Sequence, residues 1–398
     1  MELWPMCRSY LNGFQEPHSP DNEKKRVCFM PGTMLAARLH EVGGKFTVDE
    51  IPLPDVGEHD VLIKTAACGV IPNLRNVVTN FPEWYPFLPL PELPAVFGLD
   101  AAGTVVSVGR SVKDFKEGDR VYINPGLSCG NCKQCLAGLP TRCASYTFMG
   151  YFGFSPSSSE VFREYRHAGY AQYLRAPARN LITLADELPF EVATRLGYLG
   201  TAYSALKKLE LTPGQSLLVL GASGTLGIGA TLAALAMGVT DIIVAARDRT
   251  ALERLRQLAP KRIRSLQITS TDLHASIRDM APGGVHAVVD TLGAKAPAEL
   301  SVSAMNAVTS GRKIVQIGGV SGPIPIDPHP FMCTQLHYIG SLWFTTAEAH
   351  ELMALIRAGL LDTNQWAPRP YTLDQLNQAL EDIQTDASGF LNYHIVHA

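Results

Sequence analysis

SLLVLGASGTLGIGATLAALAMGVTDIIVAARDRTALERLRQL, residues 216–258, decides the reading of this chain. The run LLVL (217–220) is short and apolar, as a buried strand is. A glycine-rich turn follows, then a stretch with helical apolar spacing, a second apolar run DIIVAA (241–246), and a second helical stretch. Strand, glycine turn, helix, strand, helix is a βαβ unit with parallel strands.

The three glycines of the turn have separate tasks. Gly221 permits the tight bend, Gly224 lets backbone approach a pyrophosphate, and Gly227 lets the helix pack closely on the strand. The helix that opens at Thr225 and Leu226 aims its free N–H groups and the positive end of its dipole at the phosphates, with Ser223 inside the turn. Gly221, Ser223, Gly224, Thr225, Leu226 and Gly227 are therefore candidate dinucleotide-binding residues. At the end of the second strand a carboxylate would bind the ribose 2′-hydroxyl of NAD. Ala246 stands there instead, followed by Arg247 and Arg249, which suit a 2′-phosphate and favour NADP over NAD. Asp248 keeps NAD open, because a register slip of two residues would make it the ribose acid.

Working outward, HAVVDTLG (286–293) and RKIVQIGG (312–319) read as further parallel strands that end in glycine. Ligands lie at the carboxyl edges of such strands, so Thr291, Leu292, Gly293, Ile317, Gly318 and Gly319 are expected at the nicotinamide half of a cleft. YIGSLWF (338–344) predicts one more strand, residues 347–361 a helix, and FLNYHIVHA (390–398) a strand returning to the first part of the chain. PFEVATRLGYLGTAYSALKKL (189–209) has helical spacing.

Towards the amino end the pattern changes. AARLHEVGGKFTVDEIPLP (36–54), HDVLIKTAACGV (59–70), VFGLDAAGTVVSVG (96–109) and FKEGDRVYI (115–123) alternate apolar and polar residues between glycines and prolines, which predicts a barrel-like β-rich unit. LSCGNCKQCLAGLPTRC (127–143) protrudes from it. Cys129, Cys132, Cys135 and Cys143 have the spacing C-x2-C-x2-C-x7-C. Four thiolates in one bending loop make a closed tetrahedral site, which suits a structural zinc with no open position for chemistry. One such zinc per chain is expected.

The chain has 398 residues, enough for two sizeable cores, and a formal net charge of −3, which gives no basic field for nucleic acid. No apolar run approaches the ~20 residues of a membrane span. The cysteines outside the quartet are scattered, which fits a reducing, cytoplasmic setting. Residues 1–33 read as a polar arm without the apolar core of a signal peptide.

The quartet preceding the βαβ unit, the opening strands, GDRV (118–121) and G-Y-A-x-Y (169–173) together resemble the medium-chain dehydrogenase/reductase superfamily of zinc alcohol dehydrogenase type, over Met34 to the carboxyl end. The resemblance implies an α/β fold with a GroES-like β-rich catalytic domain (34–190, zinc lobe about 125–145), a Rossmann doubly wound parallel sheet (191–343) and a return to the catalytic domain (344–398). It also implies a small-molecule substrate in the cleft between domains, Thr201 beside the cofactor, and a homodimer or homotetramer.

The departures from that family bear on chemistry. Where a catalytic zinc is held by Cys in G-V-C-x-S/T-D, this chain has Gly69-Val70-Ile71-Pro72-Asn73-Leu74. Where the family has Gly-His-Glu, it has Gly98-Leu99-Asp100, and Tyr198 stands near the third ligand. The structural zinc is thus kept and the catalytic ligands are lost. Without that metal a developing oxyanion needs hydrogen-bond donors, for which the candidates are Tyr198, Asn73 and Tyr85. The expectation is an NADP(H)-dependent oxidoreductase reducing an activated C=C bond or a carbonyl of a bulky apolar substrate. Alcohol–ketone interconversion and a non-catalytic cofactor-binding relative are the alternatives. The aromatic stretch 146–170 either walls the cleft or packs on itself or a partner subunit.

Overall fold

The computed structural model describes residues 32–270, 272–386 and 388–397. All but the last two residues of the expected arm lie outside these. Strand Thr33–Leu39 begins within the span assigned to the arm, a one-residue shift of boundary. It pairs antiparallel with Phe46–Pro52 and Ala95–Val96.

A seven-stranded sheet is built around Asp60–Gly69. That strand pairs antiparallel with Ala101–Val108, Tyr173–Pro177 and, from the far end of the chain, Leu391–Val396. Ala367–Tyr371 adds parallel to the last of these. Val61, Ile63, Val105, Val121, Leu174 and Ile395 point into one apolar core, so the carboxyl-terminal return is held by burial as well as by its ladder.

Six parallel strands form the second sheet: Ser216–Leu220, Asp241–Ala246, Ile263–Gln267, Val285–Asp290, Val308–Gln316 and His337–Gly340. Counting them in chain order, their spatial order is 3-2-1-4-5-6. Leu217 and Val219 face one apolar cluster, Leu218 and Leu220 the other, and all four are fully buried. Successive side chains point to opposite faces of a strand, so a run apolar at every position requires cover on both. Each such side chain contributes about 1.5–3 kcal/mol by leaving water. Helices Leu196–Leu209 and Thr225–Ala236 supply the cover on the first face.

The stretch 338–344 departs from its expectation. Its strand stops at Gly340, and Trp343 adopts φ +53°, a left-handed conformation that no strand accommodates and that is strained for a bulky residue. The loop is locked by other means. Trp343 Nε1 donates to Asn124 Oδ1 at 2.8 Å, and its ring lies 5.0 Å from Phe344 and 4.7 Å from Phe148. A loop at the edge of the parallel sheet is thereby pinned to the β-rich part. In the aromatic stretch, Tyr146, Phe148, Tyr151 and Phe162 are buried. Phe148 sits in a two-residue strand against Gly126–Leu127, and Phe152 reaches Phe81 at 5.3 Å. Most of the stretch is core rather than open wall.

Candidate active site and metal centre

The four quartet sulfurs all lie within 4.8 Å of one another. Cys132–Cys135 and Cys129–Cys143 are 3.5 Å apart and Cys129–Cys135 4.0 Å. A tetrahedron of Zn–S bonds of about 2.3 Å has edges of about 3.8 Å, so the donor set fits zinc in size and softness. Gly130 and Gly138, both with positive φ, fold the loop back to bring the sulfurs together. The backbone at Cys135 draws the Cys132 thiol down to about 7, and burial pushes Cys143 up to about 12. Metal binding would deprotonate both. Among the described residues this is the one group of three or more His, Cys, Asp or Glu side chains close enough to hold an ion.

The glycine turn is closely packed on backbone at two of its three glycines. Gly221 has φ +83°, and a Cβ there would meet Thr291 Oγ1 at 2.9 Å. A Cβ on Gly227 would stand 2.5 Å from Gly221 O and 2.6 Å from Ala222 Cα, so only glycine lets this helix approach its strand. Gly224 is the N-cap of helix Thr225–Ala236, with Ser223 before it and Leu226 in its first turn. The other strand ends converge on the turn. Thr291 Oγ1 donates to Leu220 O at 2.8 Å. The Leu292 N–H bonds Asp290 Oδ1, and a Cβ on Gly318, between Ile317 and Gly319, would meet Leu292 O at 2.2 Å. Gly293 is open, with nothing within 4 Å of its added Cβ. Thr201 is buried, and its hydroxyl donates to Gly197 O at 2.8 Å within its own helix.

One contributor to this cradle was not legible in the sequence. A Cβ on Gly389 would lie 2.2 Å from Ser223 O and 2.7 Å from Thr225 N. The carboxyl-terminal return therefore passes directly against the phosphate turn, a contact 166 residues away along the chain that no local pattern announces.

Strand Asp241–Ala246 is followed by exposed Arg247, Asp248 and Arg249. Asp248 is the N-cap of helix Arg249–Leu258: its Oδ1 accepts from Thr250 N at 2.9 Å and Ala251 N at 3.1 Å. Its carboxylate is engaged in a capping role that the sequence alone left open.

In the cleft, Leu99 is buried and Ile71 half-buried, and neither offers a ligand atom. Gly197 abuts Asp100: a Cβ there would stand 2.2 Å from Asp100 Oδ1. Tyr198 sits one residue further along helix Leu196–Leu209, half-buried, with the Arg195 guanidinium 5.4 Å from its ring centre. Burial pushes the Tyr198 phenol up to about 12 against the opposing pull of Arg195. Arg195 is 1% exposed; its Nη2 donates to Leu391 O at 2.7 Å and its Nε has no partner among the described residues. Asp100, also 1% exposed, accepts a 2.6 Å hydrogen bond from Tyr122. Burial raises its carboxyl to about 7, Tyr122 and Arg195 acting the other way. Cys68, fully buried beside it, has its thiol pushed well up by burial and by Asp100.

Asn73 accepts from Asn76 Nδ2 at 3.0 Å and hydrogen-bonds the buried Tyr151 phenol, which feels the fields of Tyr198 and Asp100. The structure thus groups Asn73 and Tyr198 with Tyr151, Asp100, Tyr122 and Arg195, four residues sequence reasoning did not single out. A signal existed for two: Asp100 and Arg195 are charges inside otherwise apolar runs. Tyr85 packs its ring on Phe81 and Phe87 at 5.0 and 6.0 Å, and among the described residues no hydrogen bond or ring contact joins it to this group.

Residues 57–186 match the alcohol dehydrogenase GroES-like domain, and residues 225–358 the zinc-binding dehydrogenase domain. An alcohol dehydrogenase of Geobacillus stearothermophilus is 30% identical over 83% of this chain and 91% of its own length. A sorbitol dehydrogenase of Bacillus subtilis is 27% identical over 88% of this chain and 94% of its own. The crystal structure of AibC superposes with a TM-score of 0.79 at 22% identity, covering 96% of this chain and 99% of that one, a likeness of fold.

Proposed function

Since the chain belongs to the medium-chain dehydrogenase/reductase superfamily, as an oxidoreductase of the zinc-type alcohol dehydrogenase kind, we propose that it is an NADP(H)-dependent reductase of a conjugated enone, with zinc held only by the cysteine quartet. The observation that carries this reading is the pairing of Tyr198 with the buried Arg195 guanidinium, in a chain whose residues at positions 71 and 99 have side chains that cannot ligate.

NADPH, when bound, supplies a hydride, which adds to the β-carbon of the enone. The chain's residues manage the charge that results. The electron pair of the C=C bond moves onto the α-carbon and carbonyl oxygen as an enolate. Tyr198 gives its proton to that enolate, and the phenolate is reprotonated from water, so the balance is one hydride and one proton per saturated ketone. Charge spread over an enolate asks less of its donors than a localised alkoxide does, which suits a site built from a phenol and the Tyr151–Asn73 pair. NADP is favoured because Asp248 is engaged as a helix cap while Arg247 and Arg249 stand exposed at the ribose end.

The relatives' names, alcohol and sorbitol dehydrogenase, favour a second reading, reversible alcohol–ketone oxidoreduction with the same donors. Initial rates of NADPH oxidation with cyclohex-2-enone and with cyclohexanone, and of NADP reduction with cyclohexanol, distinguish the two. The first reading expects the enone to be turned over fastest, with about one zinc per chain. Turnover confined to the ketone and alcohol, or two zinc ions per chain, overturns it.

A further inference from the structure

A buried cation needs a reason, and Arg195 has few structural ones. It is 1% exposed at the N-cap of helix Leu196–Leu209. Its Nη2 donates to a backbone carbonyl, Leu391 O at 2.7 Å, its guanidinium also hydrogen-bonds the Tyr198 phenol, and Nε is left without a partner among the described residues. Among the described residues no carboxylate lies within 4.0 Å of it to form an ion pair. Burying an unpaired charge is unfavourable, and an apolar side chain of similar volume is often the more stabilising occupant. The fold nevertheless keeps this charge, and keeps it 5.4 Å from the centre of the Tyr198 ring. A cation at the face of a phenol is attracted to the ring and more strongly to the phenolate.

We propose that Arg195 is a positioning residue that acts through Tyr198: its fixed positive charge stabilises the phenolate left when Tyr198 donates its proton, and so does for this site the electrostatic work that a metal does where ligands are present. This deepens the function proposed above and rests on Tyr198 being the donor. Arg195 is sealed off from solvent while Tyr198 is half-buried, so Tyr198 is the more accessible of the two. The charge relation is two-sided, since Arg195 draws the phenol's pKa down while burial drives it up. Asp100 opposes the effect by raising the phenol, but burial lifts its own carboxyl to about 7, so at pH 7 it is only partly ionised while the guanidinium is fully charged. The step balances without another reactant: Tyr198 loses a proton to the enolate, the transient phenolate is paired with a guanidinium that stays protonated, and water returns the proton.

The test is a double-mutant cycle in the full-length, zinc-loaded protein, with NADPH and cyclohex-2-enone. Arg195→Met is expected to lower kcat about 10- to 100-fold while KM for the enone stays within about twofold, and Arg195→Lys to recover part of the loss. Tyr198→Phe should lower kcat at least as much. The decisive arm is Tyr198→Phe combined with Arg195→Met, which should be no slower than Tyr198→Phe alone. A further loss of the same factor in the double variant overturns the inference, because Arg195 would then act independently of the phenol. A Tyr198→Phe variant with full kcat overturns the reading of Tyr198 as donor instead, so the two failures are distinguishable. Should Arg195→Met fail to fold, as shown by its melting curve, the cycle is run with Arg195→Lys, and the same additivity decides.

Discussion

The Tyr122 hydroxyl donates a 2.6 Å hydrogen bond to Asp100 Oδ1 in a pocket closed to solvent, and burial there lifts the carboxyl from about 3.8 to about 7. In the unfolded chain the same group titrates at its ordinary value. Between these values the folded state binds the extra proton, so stability falls as pH rises from about 4 through about 7 and levels off above. The folded-state preference for the neutral form is thus fully present below pH ~4 and lost above pH ~7, a change on the order of a few kcal/mol. Asp100→Asn, which is neutral throughout, should show a much shallower dependence in urea unfolding between pH 4.5 and 8. It should gain on the wild type as pH rises. Parallel curves for the two proteins would rule the account out.

Arg247 and Arg249 are expected to choose the cofactor. Replacing both with alanine should raise KM for NADPH by roughly 100-fold or more, since charge-assisted contacts are worth about 1.5–3 kcal/mol each, and leave KM for NADH nearly unchanged. Asp248→Ala removes the cap of helix Arg249–Leu258 and should cost about 1 kcal/mol of stability without shifting the NADPH/NADH ratio. A ratio that moves with Asp248 and not with the arginines would reverse the assignment.

What was legible followed from local rules. LLVL at 217–220 announced a strand covered on both faces, and Gly221, Gly224 and Gly227 announced their turn, because each depends on neighbours a few residues away. The two-part α/β architecture and the family could be read for the same reason. The cleft was legible only by subtraction: Ile71 and Leu99 showed which atoms are missing, while the arrangement of Arg195, Asp100, Tyr122 and Tyr151 depends on strands and loops far apart in sequence. Tyr85 was the weaker phenol beside Tyr198, the preferred donor, and its packing against Phe81 and Phe87 separates them further. The strand expected through Phe344 failed because Trp343 is held left-handed by Asn124 and two aromatic rings, a tertiary override of a β-favouring composition.

The quartet predicts a stability effect separable from chemistry. Metal analysis should return about one zinc per chain. Cys132→Ser and Cys143→Ser should each abolish it and lower the melting temperature by several degrees or more, since a closed site contributes binding energy directly to folding. At the residual folded fraction, KM for the enone should stay near the wild-type value because no quartet sulfur belongs to the cleft. Full zinc retention in both variants would show that the ion is held elsewhere.

Gly389 carries the most specific expectation. The atoms a Cβ would meet, Ser223 O at 2.2 Å, Gly224 C at 2.6 Å and Thr225 N at 2.7 Å, are all backbone, so no side chain can rotate away. Gly389→Ala must push apart either the return loop or the turn whose N–H groups would face the pyrophosphate. Overpacking of this kind costs about 1–3 kcal/mol, and displacement of the turn should weaken NADPH binding at least tenfold in a fluorescence titration. Gly283→Ala is the control: it lies in a turn outside the cofactor cradle, has open space around its added Cβ, and should bind NADPH as the wild type does. If Gly389→Ala loses stability but keeps its affinity, the return loop yields and the turn does not. The carboxyl-terminal segment would then brace the fold without shaping the cofactor site.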